Sequence, residues 1–140
     1  MTYYKIKPDV AGGLAGNTIV NNTQYPPVVS NLHYEFDDWF GDDLLTSFPC
    51  FIISENLYYE LSKSNLTGFE IDNCLISISG IFEDLHPEGL DLPKFYWLKV
   101  GENPDNDFWL FEHKRLCVSE NALNLLKKFN LSHAEITALA

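Results

Sequence analysis

FIISENLYYELSKSNLTGFEI, residues 51–71, laid without a gap over LCVSENALNLLKKFNLSHAEI, residues 116–136, shares nine of 21 residues at an offset of 65. The identities are Ser54/Ser119, Glu55/Glu120, Asn56/Asn121, Leu61/Leu126, Lys63/Lys128, Asn65/Asn130, Leu66/Leu131, Glu70/Glu135 and Ile71/Ile136. Each copy begins as a short apolar strand. Ser54 or Ser119 then stands where a hydroxyl accepts from the orphan amides of a helix start, and Glu55 or Glu120 lies favourably in the first turn. Lys63, and Lys127 with Lys128, put positive charge near the helix end. Asn65 and Asn130 suit a left-handed stop, with Leu66 and Leu131 folding back on Leu61 and Leu126. Two strand-helix-strand units are therefore expected, and cap and stop chemistry accounts for the identities.

The flanking segments supply more strands. Thr2 to Lys7 reads as an edge strand ended by Pro8, and Ala11 to Gly16 with Asn17, Asn21 and Asn22 reads as a loop or hairpin region. Pro26-Pro27 predicts an extended stretch before Val28-Val29. DDWFGDDLLTSF, residues 37–48, suggests a short helix capped near Gly41 or Asp42 and stopped by Pro49. Gly68 to Ser79 alternates as one long strand does, and Phe95 to Val100 reads as another. Asn103-Pro-Asp-Asn-Asp is a turn leading into Phe108-Trp-Leu-Phe, after which Glu112 to Arg115 turns the chain into Leu116-Cys-Val. The expected fold class is α+β: one domain over residues 1–140, with a mixed, mostly antiparallel sheet on which the two similar units pack.

Composition agrees with one globular domain. The chain has 140 residues, 46% of them hydrophobic and 21% charged, enough apolar surface to offset chain entropy. Nine basic against 20 acidic residues give a net charge of −11. That field disfavours nucleic acid and anionic membranes as partners and favours a basic protein. The N-terminus lacks the apolar stretch of a secretory signal, and no run is long enough for a spanning helix, so the cytoplasm is the expected compartment. Cys50, Cys74 and Cys117, each in or beside a strand-like run, are expected to be buried free thiols.

No metal or cofactor site is expected. His33, His86, His113 and His133 lack the spacing of a helical zinc motif, no serine sits in a nucleophile elbow, and Gly12 to Gly16 lacks the P-loop lysine. His133, just past a helix stop, reads as a solvated loop residue. His33 with Glu35 or Asp37 is the one acid/base couple available to a small hydrolase or transferase. The segment EFDDWFGDD holds Glu35, Asp37, Asp38, Asp42 and Asp43 within nine residues, with Trp39 and Phe40 among them. It reads as a solvated helix start with Trp39 in the core, as a binding edge where carboxylates steer a basic partner and a tryptophan anchors it, or as a catalytic carboxylate pair. The last would need a sugar-sized cleft that a compact chain of this length can hardly shape. Glu102, Asp105 and Asp107, before Trp109, repeat the character. These ten residues are the candidate partner-binding set.

YYKIKPDVAGGLAGNT (residues 3–18), LHYEFDDWFGDDLLTSFPCFIISE (32–55), NLTGFEI (65–71) and HKRLCVSENALNLLKKFNLSHAEI (113–136) together resemble a bacterial family of polymorphic-toxin immunity proteins, formerly a domain of unknown function. The start D-V-A-G-G-L and the block from Leu32 to Glu55 are its most distinctive parts. Ala15 and Asp38 stand where the family pattern has glycines. The resemblance implies a non-enzymatic inhibitor that binds the C-terminal domain of a cognate toxin and blocks its active site. The charge adds that the blocked cleft is basic. An acidic DNA mimic is the further alternative. Seven tyrosines, ten phenylalanines and three tryptophans also leave a homodimer open, since so many aromatics tax a core of this size.

Overall fold

Tyr4, Ile6, Phe51, Ile53, Leu116 and Val118 each sit on the inner face of a strand, and the register of those strands shows that the repeat is a duplicated sheet. The computed structural model describes residues 2–16, 18–21, 28–112 and 115–139. Asn17, Asn22, the Pro26-Pro27 stretch and His113 lie outside the described residues. The elements that build the repeat are β1 (Tyr3–Lys7), β6 (Leu44–Ser47), β7 (Cys50–Ser54), α1 (Glu55–Lys63), β8 (Phe69–Asp72), β10 (Phe95–Val100), β11 (Phe108–Phe111), β12 (Arg115–Ser119), α3 (Glu120–Leu126) and β13 (Glu135–Ala138). The others are β2 (Gly12–Leu14), β3 (Ile19–Asn21), β4 (Val28–Asn31), β5 (His33–Phe36), β9 (Leu75–Ile78) and α2 (Gly80–Leu85). The class is α+β, with antiparallel pairing everywhere among the named strands except β5 with β9.

Two four-stranded sheets have the orders β6-β7-β10-β8 and β11-β12-β1-β13. They are the same sheet twice. Leu98 pairs with Phe51 and Ile71 in the first, as Ile6 pairs with Leu116 and Ile136 in the second. Each hairpin matches too: Leu45 stands opposite Ile52, and Trp109 opposite Cys117. The N-terminal strand β1 thus completes the C-terminal unit, taking the central place that β10 takes in the first. It is not the edge strand that its sequence suggests, because Pro8 only ends it and never enters the ladder.

The helices form where the caps predict. Ser54 accepts from the Leu57 amide and Ser119 from the Ala122 amide, each side chain closing a helix start. Their stops differ from expectation. α1 ends at Ser64 in an extended conformation, and α3 ends at Lys127 with helical angles, so neither asparagine makes a left-handed cap. Leu57 and Leu61 of α1 and Ala122, Leu123 and Leu126 of α3 join the inner faces of both four-stranded sheets in one core.

A second core covers the outer face of the first sheet. Tyr34 and Phe36 of β5, with Phe82 of α2, pack on Leu45, Ile52, Phe95 and Trp97. This layer is a three-stranded sheet of order β2-β5-β9, with β3 and β4 paired apart. Three expectations are corrected here. Residues 37–43 form no helix, and Leu44–Ser47 is strand β6, because Leu44 and Leu45 face opposite cores and so obey a period of two. The stretch from Gly68 to Ser79 breaks at Asn73-Cys74 into β8 and β9, which belong to different sheets. Gly12 and Gly13 lie in a strand, where a Cβ on Gly12 would come within 1.9 Å of the Glu35 carbonyl oxygen. Cys50 and Cys117 are buried and Cys74 is half-buried, all as free thiols.

Candidate functional site

The acidic residues singled out from sequence divide into those that hold the fold and those that reach the surface. Asp43 and Asp107 precede equivalent strands, β6 and β11, and do equivalent work. Asp43 accepts from the Ser54 hydroxyl at 2.6 Å and from the Asn130 amide at 2.8 Å. Asp107 accepts from the Ser119 hydroxyl at 2.7 Å and from the Thr67 amide at 3.0 Å. Each carboxylate orients the capping serine of its own unit and grips the chain beyond the helix of the other. The contact is reciprocal, as between two copies in a symmetric dimer. These two residues are clasps, half-buried and engaged within the chain.

Asp42 is fully buried and accepts from the His133 amide at 3.0 Å, with His133 Nδ1 at 2.7 Å. A buried carboxylate is tolerated because both oxygens are engaged. His133 is exposed in the turn after α3, the solvated loop residue expected from sequence, and it is also a positioned partner of Asp42. That hydrogen bond raises the His133 pKa above its ordinary 6.5. A group whose folded pKa is raised contributes stability in full below its unfolded pKa and loses it as pH rises through the folded value. The stability difference between the natural chain and His133→Asn is expected to be largest at about pH 5.5 and to shrink by about pH 9. Thermal denaturation across that range checks it, and a gap that widens with pH would contradict the pairing.

Trp39 is half-buried and packs against the second core. Its indole donates to the Asp42 carbonyl at 2.9 Å and its ring meets Phe95 edge-on, with centroids 6.0 Å apart. Glu35 is half-buried on β5, between Gly13 and Ser77 of the neighbouring strands. Asp37 donates its amide to the Ala11 carbonyl at 2.8 Å. Asp38 Oδ1 lies 2.7 Å from His86 Nε2, and this contact, with the Trp39 amide, holds the Asp38 carboxyl below its usual range. Phe40 is 59% exposed, its ring 5.2 Å from that of His133. Glu102 and Asp105 are exposed in the turn between β10 and β11. His33 Nε2 sits 2.7 Å from Ser77 Oγ across the parallel pair β5 and β9. No group of three or more metal-ligating side chains occurs among the described residues.

What sequence reading missed lies next to this loop. The Asp38–His86 contact joins residues 37–41 to the C-terminal end of α2. Phe82 is buried in the second core, while Ile81 and Leu85, four residues apart, are 58% and 55% exposed. Glu83, Asp84, Glu88 and Asp91 are exposed around them, and residues 73–93 contain no lysine or arginine. The signal was present: Ser79 caps α2 through the Phe82 amide, Glu83 and Asp84 follow, and Pro87 comes just after the helix.

No family model, curated protein or solved structure matches this chain. The arrangement of its own side chains is thus what bears on function. Within the described residues, no helix is long and apolar enough to cross a membrane.

Proposed function

We propose that this chain is an immunity protein: a non-enzymatic, one-to-one inhibitor that acts in the cytoplasm by covering the basic active-site cleft of a cognate toxin domain. The observation that carries the reading is the surface of α2 and the loop that Asp38 ties to it, where Ile81 and Leu85 are exposed among carboxylates with no lysine or arginine in residues 73–93, and Phe40 is exposed in the loop. Apolar anchors surrounded by charges of one sign are the anatomy of a steered protein interface. The net charge of −11 extends the attraction beyond contact distance and speeds capture. The family resemblance of the sequence points the same way. Of the ten residues first assigned to the partner, Asp37, Asp38 and Phe40 belong with this surface. Asp42, Asp43, Asp107 and Trp39 serve the fold. A DNA mimic needs its carboxylates in a row on one face, whereas three of these are engaged by serine, histidine and backbone donors of the chain itself.

The test uses the inactivated C-terminal domain of the toxin encoded beside this chain. Calorimetry is expected to show tight one-to-one binding that weakens with salt. The variant E83K/D84K/E88K is expected to associate at least about tenfold more slowly, and Leu85→Ser to dissociate faster. Absence of a complex with the natural chain overturns the proposal.

A further inference from the structure

Cations are scarce in this chain, and three of the nine gather in one place. Lys5, Lys7 and Arg115 line a groove of about 490 Å³ at the end of the central core. Strand geometry puts them together: Lys5 and Lys7 are two apart on β1, and Ile6 pairs with Leu116, which sets Arg115 beside Lys7. Among the described residues none of the three makes an ion pair, although the chain has 20 carboxylates; Glu135, opposite Lys7 on β13, is the one acidic residue in the lining. The groove is also apolar. Its apolar surface comes from Val10 and Phe48, 59% and 48% exposed, with Pro49, while Ile6, Phe51 and Leu116 back it from within the core. None of its residues belongs to the α2 surface.

Three clustered cations with one carboxylate among them, beside an apolar surface, suit an anion with a hydrocarbon body. The charge of the whole chain narrows the choice further. A field from −11 repels an approaching anion in proportion to the anion's own charge, so phosphates and polyanions are penalised more than a monoanion. We propose that this groove binds a medium-chain aliphatic carboxylate, with the carboxylate among Lys5, Lys7 and Arg115 and the chain along Val10, Phe48 and Pro49. The site is independent of the toxin surface and stands or falls without it.

Octanoate is the probe, titrated into the full chain and followed by backbone amide NMR. Saturable one-to-one binding is expected, with shifts concentrated at residues 5–10, 46–51, 115–116 and 135–137. Octan-1-ol, which has the same body and no charge, is expected to bind at least about tenfold more weakly, and K7E/R115E to lose at least about tenfold in octanoate affinity, the size of a charge-assisted contact. Should that variant fail to fold by circular dichroism, Lys7→Gln takes its place, with a loss of about threefold expected. Scattered shifts, equal affinity for the alcohol, or unchanged affinity in the folded variant overturns the proposal. Tighter binding of the tripeptide acid acetyl-Val-Leu-Leu than of octanoate also overturns it, in favour of a protein C-terminus as occupant.

Discussion

Replacing Asp43 or Asp107 by alanine is expected to lower the unfolding free energy by about 3 kcal/mol each, and replacing both is expected to bring the chain to the edge of unfolding. Each carboxylate makes two short bonds, one to a capping serine and one to a backbone amide of the other unit. Bonds to a charged acceptor contribute about 1.5–3 kcal/mol each, and the partial exposure of both aspartates brings the sum down. Alanine also leaves the Asn130 or Thr67 amide without its acceptor. Asparagine keeps one acceptor oxygen and is expected to cost about half as much. The two single effects should agree within about 1 kcal/mol, because each clasp ties a capping serine to a backbone amide of the other unit, with Asp107 accepting also from the Thr67 hydroxyl, and the double variant should depart from their sum because both join one pair of units. Urea denaturation measures all four proteins. If these aspartates served a partner instead, alanine would leave stability within about 0.5 kcal/mol, as surface changes do, and the clasp would be refuted.

Gly68→Ala carries the other large effect, an expected loss of about 4 kcal/mol or more. Gly68 has φ of +97°, and a Cβ built there falls 2.0 Å from the Phe108 carbonyl oxygen and 2.7 Å from the Asn106 Cβ. Both terms act at once: a left-handed backbone that L-residues avoid, and a collision with main chain that cannot swing aside. Gly89→Ala separates them. Its φ is +86° with no atom within 4 Å of the added carbon, so it pays the conformational penalty alone, about 1 kcal/mol. Equal losses at the two positions would show that the close approach of Gly68 to β11 is not rigid. The duplicated unit explains why glycine is needed at only one of the equivalent positions. Where the first unit sets Gly68 against Asn106, the second sets His133 beside Asp42, and the space that one copy closes is occupied in the other by the exposed His133 hydrogen-bonded to the buried Asp42.

The two readings that survived best from sequence were local. Ser54 and Ser119 announce helix starts because an N-cap is decided within four residues, and Phe95 to Val100 announces a strand because apolar and β-favouring residues run without a breaker. The readings that failed concern competition at longer range. DDWFGDD looked like a capped helix start because its residues are those that cap helices. Asp43 does serve a helix start, but that of α1, through Ser54, eleven residues on. Trp39 and Asp42 were offered to a partner, since nothing local says that Phe95 and His133 come to meet them. Ile81 and Leu85 were overlooked because the alternation before Ser79 masks the short helix after it, and their exposure depends on which face Phe82 buries.

By itself the sequence determined the duplication, the positions of α1 and α3, the strand character of β7, β10, β11 and β12, the free thiols and the acidic field, since each follows from composition or from contacts a few residues long. Tertiary structure decided that β1 completes the second unit, that Asp43 and Asp107 are reciprocal clasps, and which carboxylates remain on the surface. Those outcomes turn on pairings across 40 to 91 residues, such as Thr67 with Asp107 and Asp42 with His133. A carboxylate has the same chemistry whether it accepts from a buried amide or faces a partner, and only its neighbours in the folded chain distinguish the two.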